Sequence, residues 1–244
     1  MDEKKFWIGF SLVKGVGSVR MAKLQEYFGS LDIAWEASLP DLVSAGLNRK
    51  TVENFALLKK GINLDQYIET FQKKGIQVVF SDSPEYPHNL AQIEQKPPVL
   101  YYKGNLKPTD DLAVAIVGTR KISYYGAQVT EELAAKLARS GVTVISGLAR
   151  GVDAVAHKST MKAQGRTFAV LGSGVDVVYP PEHRALAEQI VENGALISDY
   201  PPGTQPDRIN FPPRNRIISG LSKSVVVVEA GEKSGARITR AAFI

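Results

Sequence analysis

The sequence predicts an α/β fold in which a small all-helical domain precedes a doubly wound, mostly parallel sheet. The first 75 residues or so place apolar side chains at helical spacing and show no strand pattern, whereas the later residues alternate short apolar runs with helix-length segments. Glycine and small polar residues follow the ends of these runs, where the strand-to-helix turns of such sheets lie. These observations together favour a two-part chain.

The helical region is predicted to extend over residues 1–75. Apolar positions from Leu12 to Phe28 recur at helical spacing, Gly29 interrupts them, and Lys74–Gly75 is a stop signal. Within this region Gly15–Arg20 resembles a helix-hairpin-helix turn, whose amides contact phosphate. A purely structural turn in an interaction domain is an equally good interpretation.

Residues 76–109 are predicted to contain a strand and a connector that belong to the following domain. Ile76–Phe80 has the composition of a short strand. The passage after it is rich in proline, at Pro84, Pro87, Pro97 and Pro98.

Residues 110–244 carry the rhythm of a parallel sheet. The predicted strands are Ala113–Val117, Val142–Ser146, Thr167–Leu171, Ala195–Ser198 and Val225–Glu229. The segments between them, Tyr124–Ser140, Val152–Ala163, Glu182–Asn193 and Pro213–Leu221, are long enough for crossover helices. Because no strand follows the helix-like segment Ala236–Ile244, we expect the sheet to be incomplete at its C-terminal end.

Composition excludes several classes of protein. The chain has no cysteine, hence no disulfide and no thiolate site, which suits the cytoplasm. It has neither a long apolar run nor a signal-like start, so we expect no membrane association. Its three histidines are too widely spaced for a metal motif, and we expect no metal and no cofactor, since no P-loop or complete dinucleotide fingerprint is present. The net charge of +5 mildly favours polyanionic partners.

Two glycine-containing turns are candidate phosphate sites. Gly118, Thr119 and Arg120 follow one predicted strand, and Ser146 and Gly147 end the next. Backbone amides at a helix start favour anions, and the arginine adds a guanidinium fork. For either turn alone, a tight turn that binds nothing is an equally good interpretation.

The segment Asn210–Ser219 combines an aromatic ring with bases. Phe211 could stack on a nucleobase while Arg214 or Arg216 meets phosphate and Asn210 or Asn215 donates nearby. The alternative places Phe211 in the core and pairs one arginine with an acid. Upstream, Arg208 is a weaker candidate for the same surface.

Asp153 and His157 are spaced i, i+4 on a predicted helix and could form an acid-base pair. No nucleophile elbow accompanies them, although Ser146 is near in sequence. We therefore expect the chain not to be an enzyme.

Three segments together resemble one known family. Ala115–Arg120, Ser146–His157 and Asn210–Leu221 are similar in order and spacing to the DNA processing protein A family, also called DprA or Smf. Val175–Pro180 and Ser198–Gly203 are further family-like segments.

The resemblance implies an extended Rossmann-like domain that binds single-stranded DNA, preceded by a domain like a sterile alpha motif. It also implies homodimers and the loading of RecA recombinase during natural transformation. The pocket residues that carry over are Gly118, Thr119, Arg120, Ser146, Gly147, Phe211, Arg214 and Asn215.

Two features set limits on this inference. Where the family reads Ser-Gly-Ser-Leu-Ile-Thr-Ala, this chain has Ser234–Arg240 with two arginines, and the family continues with a further strand beyond the position of Ile244. The dimer surface of the family usually lies in that later part, so dimerisation follows less directly from the resemblance than DNA binding does. The competing hypothesis is a nucleotide-processing hydrolase of the phosphoribohydrolase type, whose glycine-rich turn is only partly matched by Glu229–Gly235.

Overall fold

The computed structural model describes residues 3–230. The chain divides into two compact units, one formed by residues up to 83 together with 95–100, the other by residues 84–94 together with those from 101 onward. The domain limits drawn from the sequence remain predictions. Ala236–Ile244, Ser234–Arg240 and most of the hydrolase-like turn lie outside the described residues.

The first unit is helical up to a short strand. Its elements are α1 Lys4–Leu12, α2 Ser18–Phe28, α3 Leu31–Glu36, α4 Leu39–Ser44, α5 Arg49–Gly61, α6 Leu64–Lys73 and β1 Gln77–Phe80. Its core is aromatic: the rings of Phe10 and Phe55 stack at 5.4 Å between centroids, and the Trp35 ring stands edge-on to both. Asn48 and Asn63 cap α5 and α6 by accepting from amides in their first turns.

The second unit is built on a sheet. Its strands are β2 Val99–Gly104, which begins in the first unit, β3 Ala113–Gly118, β4 Thr143–Ser146, β5 Thr167–Val170, β6 Gly194–Ser198 and β7 Ser224–Val228. They lie in the order β2-β6-β5-β4-β3-β7. From β6 to β7 all neighbours are parallel, whereas β2 runs antiparallel to β6, with Tyr101 opposite Ser198. The predicted α/β fold with a mostly parallel sheet is confirmed.

Helices connect the strands. They are α7 His88–Ala91, α8 Tyr124–Arg139, α9 Val152–Lys162, α10 Arg184–Glu192 and α11 Phe211–Gly220, and short 3₁₀ turns occur at Pro108–Asp111, Pro181–His183 and Arg208–Asn210. Every residue of β4, β5 and β6 is buried, because helices and loops cover both faces, as expected for parallel strands. Among the described residues, no helix combines the length and apolar character needed to cross a bilayer.

The strand order fixes where a ligand can approach. From β3 to β6 the chain adds strands in one direction, and it then returns to the other side of β3 to form β7. Such a reversal opens a crevice at the carboxyl ends of the strands. The turns that follow β3, β4 and β5 all lie at this edge.

Candidate functional site

A cleft lies at the carboxyl edge of the sheet. It is lined by Arg120, Gly147, Ala149, Arg150, Tyr179, Pro180, Phe211 and Arg214. Four segments that are far apart in sequence therefore meet here: the turn after β3, the turn after β4, the loop after β5 that holds Tyr179 and Pro180, and the start of α11.

The turn after β3 presents an exposed cation. Gly118 has no room for a side chain, since a Cβ there would lie 1.9 Å from the carbonyl oxygen of Val228. The Thr119 hydroxyl accepts from the amide of Lys121 at 3.1 Å, which fixes the turn. Arg120 is exposed, and its guanidinium carbon lies 5.7 Å from the centroid of the Phe211 ring. This arginine is placed to meet an anion at the mouth of the cleft.

The turn after β4 is already filled by a carboxylate. The Oδ2 atom of Asp153, in the first turn of α9, accepts from the amides of Gly147 at 3.1 Å and Ala149 at 3.2 Å. The hydroxyl of Ser146 is buried and donates to the carbonyl of Ile116 at 2.6 Å, which ties β4 to β3. The structure thus differs from the expectation of open amides here: Ser146 and Gly147 shape the turn and lack a free donor for phosphate.

Arg214 is a buried strut beneath the cleft. Its side chain is 5% exposed, and its Nη1 donates to the carbonyl of Gly147 at 3.0 Å and to that of Val170. Burial lowers the pKa of Arg214 to about 10, although the nearby negative charge of Asp153 opposes this shift. The guanidinium therefore remains charged at neutral pH, and it joins the ends of β4 and β5 to α11.

Phe211 forms an aromatic wall with Tyr179. The Phe211 ring is half-buried over Gly172, where an added Cβ would lie 2.8 Å from its Cδ1 atom. The Tyr179 ring is 41% exposed, and its centroid lies 5.9 Å from that of Phe211. The wall thus keeps part of its aromatic surface open to the cleft, and neither ring is a core residue.

The remaining predicted residues lie around α11. Asn215 is buried and its Oδ1 accepts from Nε of Arg214 at 3.3 Å. Arg216 pairs with Asp199 at 2.7 Å, so one arginine of the segment is indeed bound to an acid. Asn210 is half-buried and Arg208 is exposed on the 3₁₀ turn that leads into α11. Only Arg208 of this group offers an exposed charge.

The suggested acid-base pair does not form. Asp153 is committed to the β4 turn, and the Nδ1 atom of His157 contacts the hydroxyl of Thr167 at 2.7 Å. Burial lowers the pKa of His157 to about 3, with a contribution from the charge of His183. A fully buried, neutral imidazole cannot exchange protons with a substrate in the cleft.

Sequence reasoning missed Tyr179 and Arg150 as members of the site. Both belong to family-like segments, but the sequence gives no register that would place Val175–Pro180 opposite α11. Arg150 pairs with Glu182 in an exposed contact whose atoms lie 2.5 Å apart. Such an exposed pair contributes little stability, which leaves Arg150 able to change partner.

Comparison with known proteins gives one consistent family. Residues 77–243 match the family described as DNA recombination-mediator protein A. A protein named Smf from Synechocystis is 44% identical over 98% of this chain and 61% of its own length. The DNA processing protein DprA of Bacillus subtilis is 37% identical over 82% of this chain and 66% of its own length. The chain thus spans about three fifths to two thirds of these relatives.

Two solved structures agree with these sequence matches. DNA processing protein A from Streptococcus pneumoniae superposes with a TM-score of 0.82 at 33% identity, over 97% of this chain and 82% of that one. The Helicobacter pylori protein, described by its single-stranded DNA binding mode, gives a TM-score of 0.62 at 30% identity, over 68% of this chain and 75% of that one.

Proposed function

Because the chain belongs to the DNA recombination-mediator protein A family, we propose that its cleft binds single-stranded DNA as a non-catalytic mediator. The observation that carries the proposal is the position of exposed Arg120 beside the half-buried ring of Phe211. A cation next to an open aromatic face suits a flexible strand, since one contacts phosphate while the other stacks on a base. The described binding mode of the Helicobacter pylori relative supports the same class of ligand.

The predicted residues divide into contact and support groups. We assign phosphate contact to Arg120, with Arg208 and Asn210 at the rim, and base stacking to Phe211. Gly118 and Thr119 shape the turn that carries Arg120. The support group forms the floor of the cleft, because its polar groups already have partners within the protein. It consists of the buried residues Ser146, Gly147, Arg214 and Asn215.

Binding to oligo-dT across a salt series tests the cleft. Phe211→Ala is expected to weaken binding by about fivefold or more, as base–aromatic stacking contributes roughly 1–3 kcal/mol per base. Arg120→Ala is expected to weaken binding and to make it less dependent on salt, because a phosphate contact is lost. Arg139→Ala is the matched control, since Arg139 is an exposed base in the last turn of α8, at the opposite edge of the sheet. Unchanged affinity in both cleft variants would refute the assignment.

We further propose that the bound strand is delivered to RecA recombinase during natural transformation, in the cytoplasm, by a homodimer. The family membership supports this role. Sedimentation of the full protein measures the oligomeric state. RecA filament formation on single strands coated with single-strand-binding protein measures loading, which should be faster with this protein and should lose that gain in Arg120→Ala.

A further inference from the structure

The first turn of α8 carries two tyrosines that the fold leaves in solvent. Tyr124 is 81% exposed and Tyr125 is 73% exposed. Large rings in water contribute little to folding, so packing does not explain their presence. Two exposed bases, Arg120 and Lys121, precede them in the turn that joins β3 to α8.

The strand order places this turn beside the cleft. Phe211 covers Gly172 beyond the end of β5, and Arg120 follows β3, two strands away. Adjacent strands are about 4.8 Å apart, and four residues of chain reach at most about 14 Å, so Tyr124 lies within a few nucleotides of Arg120. A strand that passes from Phe211 to Arg120 and continues in the same direction reaches the start of α8.

Ser123 fixes the start of α8. The Ser123 hydroxyl accepts from the amide of Gly126 at 3.0 Å, and the Ser123 amide donates to Glu229 at 2.9 Å, just beyond β7. Along α8, Gln128 Nε2 donates to the Tyr124 hydroxyl at 3.3 Å. Rings on a fixed turn lose little conformational freedom when a ligand binds.

We propose that Tyr124 and Tyr125 form a second base-stacking surface for the same single strand, on the β7 side of the cleft. Lys121 lies between this surface and Arg120 in the chain and meets the intervening phosphate. The combination of bases with open aromatic rings is the one that sequence-tolerant single-strand binding uses. This inference rests on the proposed function of the cleft.

Tailed oligonucleotides separate stacking from charge. A core of about six thymidines is extended at its 5′ or 3′ end by a tail of equal length, made either of thymidines or of abasic residues that keep the phosphates. With the unmodified protein, the thymidine tail at one end should bind about fivefold or more tighter than the abasic tail. Replacing both tyrosines, Tyr124→Ala with Tyr125→Ala, should abolish this difference and leave binding of the core unchanged.

Two controls define the ring requirement. Tyr124→Phe with Tyr125→Phe keeps both stacking faces and should keep the tail preference. Tyr27→Ala removes a tyrosine that is 55% exposed in the first unit and should change nothing. Circular dichroism confirms that each variant is folded.

The outcomes distinguish this inference from the cleft assignment. If Arg120→Ala and Phe211→Ala bind the core normally, the proposed function fails. If those variants bind weakly but the thymidine tail gives no gain, or the double alanine variant keeps the gain, the second stacking surface is refuted and the cleft stands.

Discussion

At the scale of single residues, Arg120 and Arg214 line the same cleft but differ in burial. Substituting them should therefore have different effects. Arg120 is exposed, whereas Arg214 is 5% exposed and donates to two backbone carbonyls. We expect Arg214→Ala to lower the free energy of unfolding by about 3 kcal/mol, because it leaves buried carbonyls and the Asp153 charge without compensation.

Urea unfolding followed by circular dichroism measures this loss. Arg120→Ala, in the same cleft, should unfold at the urea concentration of the unmodified protein while losing DNA affinity. Equal midpoints for both arginine variants would show that Arg214 is not the strut described.

His157 makes stability depend on pH. Its pKa falls to about 3 in the fold, so the unfolded chain takes up the proton first, near pH 6.5. The stabilising effect of the neutral imidazole is therefore complete above pH 6.5 and is lost as the pH falls, by about 1.4 kcal/mol per unit. Between pH 7.5 and 5.0, the unmodified protein should lose about 2 kcal/mol more than His157→Gln. Parallel stability curves for the two proteins would contradict the prediction.

The residue types of the site could be predicted from the sequence, but the orientation of their side chains could not. The resemblance to the DNA processing protein A family indicated that Arg120 and Phe211 line one pocket. It could not show that Ser146 turns into the sheet or that Asp153 fills the β4 turn, since both depend on which side of a turn a side chain points.

At the scale of elements, the turn after β3 and the turn after β4 are in close contact. Gly151, which precedes α9, has a φ of +75°, and a Cβ there would lie 2.2 Å from the carbonyl oxygen of Thr119. Gly151→Ala should cost about 2 kcal/mol and should also weaken DNA binding, because the strained contact displaces the turn that carries Arg120.

Gly141→Ala is the matched control for this substitution. Gly141 has a similar φ of +73° but nothing within 4 Å of an added Cβ, so its variant reports backbone strain alone. It should cost about 1 kcal/mol and leave DNA affinity intact. If both alanine variants bind DNA equally, the contact between the two turns does not position Arg120.

Strands and helices of the parallel part were largely predictable because short apolar runs alternate there with segments long enough for helices. The predicted strand Thr167–Leu171 and the observed β5 differ by one residue, and the helix predicted from Val152 begins there. The strand β2 escaped prediction, since it follows two prolines and pairs antiparallel at a position that only tertiary structure defines.

Charge distribution matters more than net charge for the whole molecule. The formal net charge is +5, yet several bases are bound to acids, as in the Arg216 and Arg150 pairs. DNA affinity should therefore depend on a few free cations at the carboxyl edge. The slope of log affinity against log salt should fall by about 0.7 for each phosphate contact removed from a single strand.

Arg120→Gln measures this contribution. Its slope should be shallower by about 0.7, while Arg139→Gln should leave the slope unchanged. Equal slopes for the two variants would indicate that binding follows net charge and not the cleft.

The carboxylate in the β4 turn has a consequence for competition inside a cell. Free nucleotides are abundant there, and their terminal phosphates bind to pairs of backbone amides at helix starts. Gly147 and Ala149 would present such a pair if Asp153 did not accept from both amides. Asp153 occupies those amides, so they are not open to a second anion. A long DNA strand does not need these amides, because it makes many weak contacts along its length. Under the proposed function, small phosphate ligands therefore do not compete with a DNA strand at this turn.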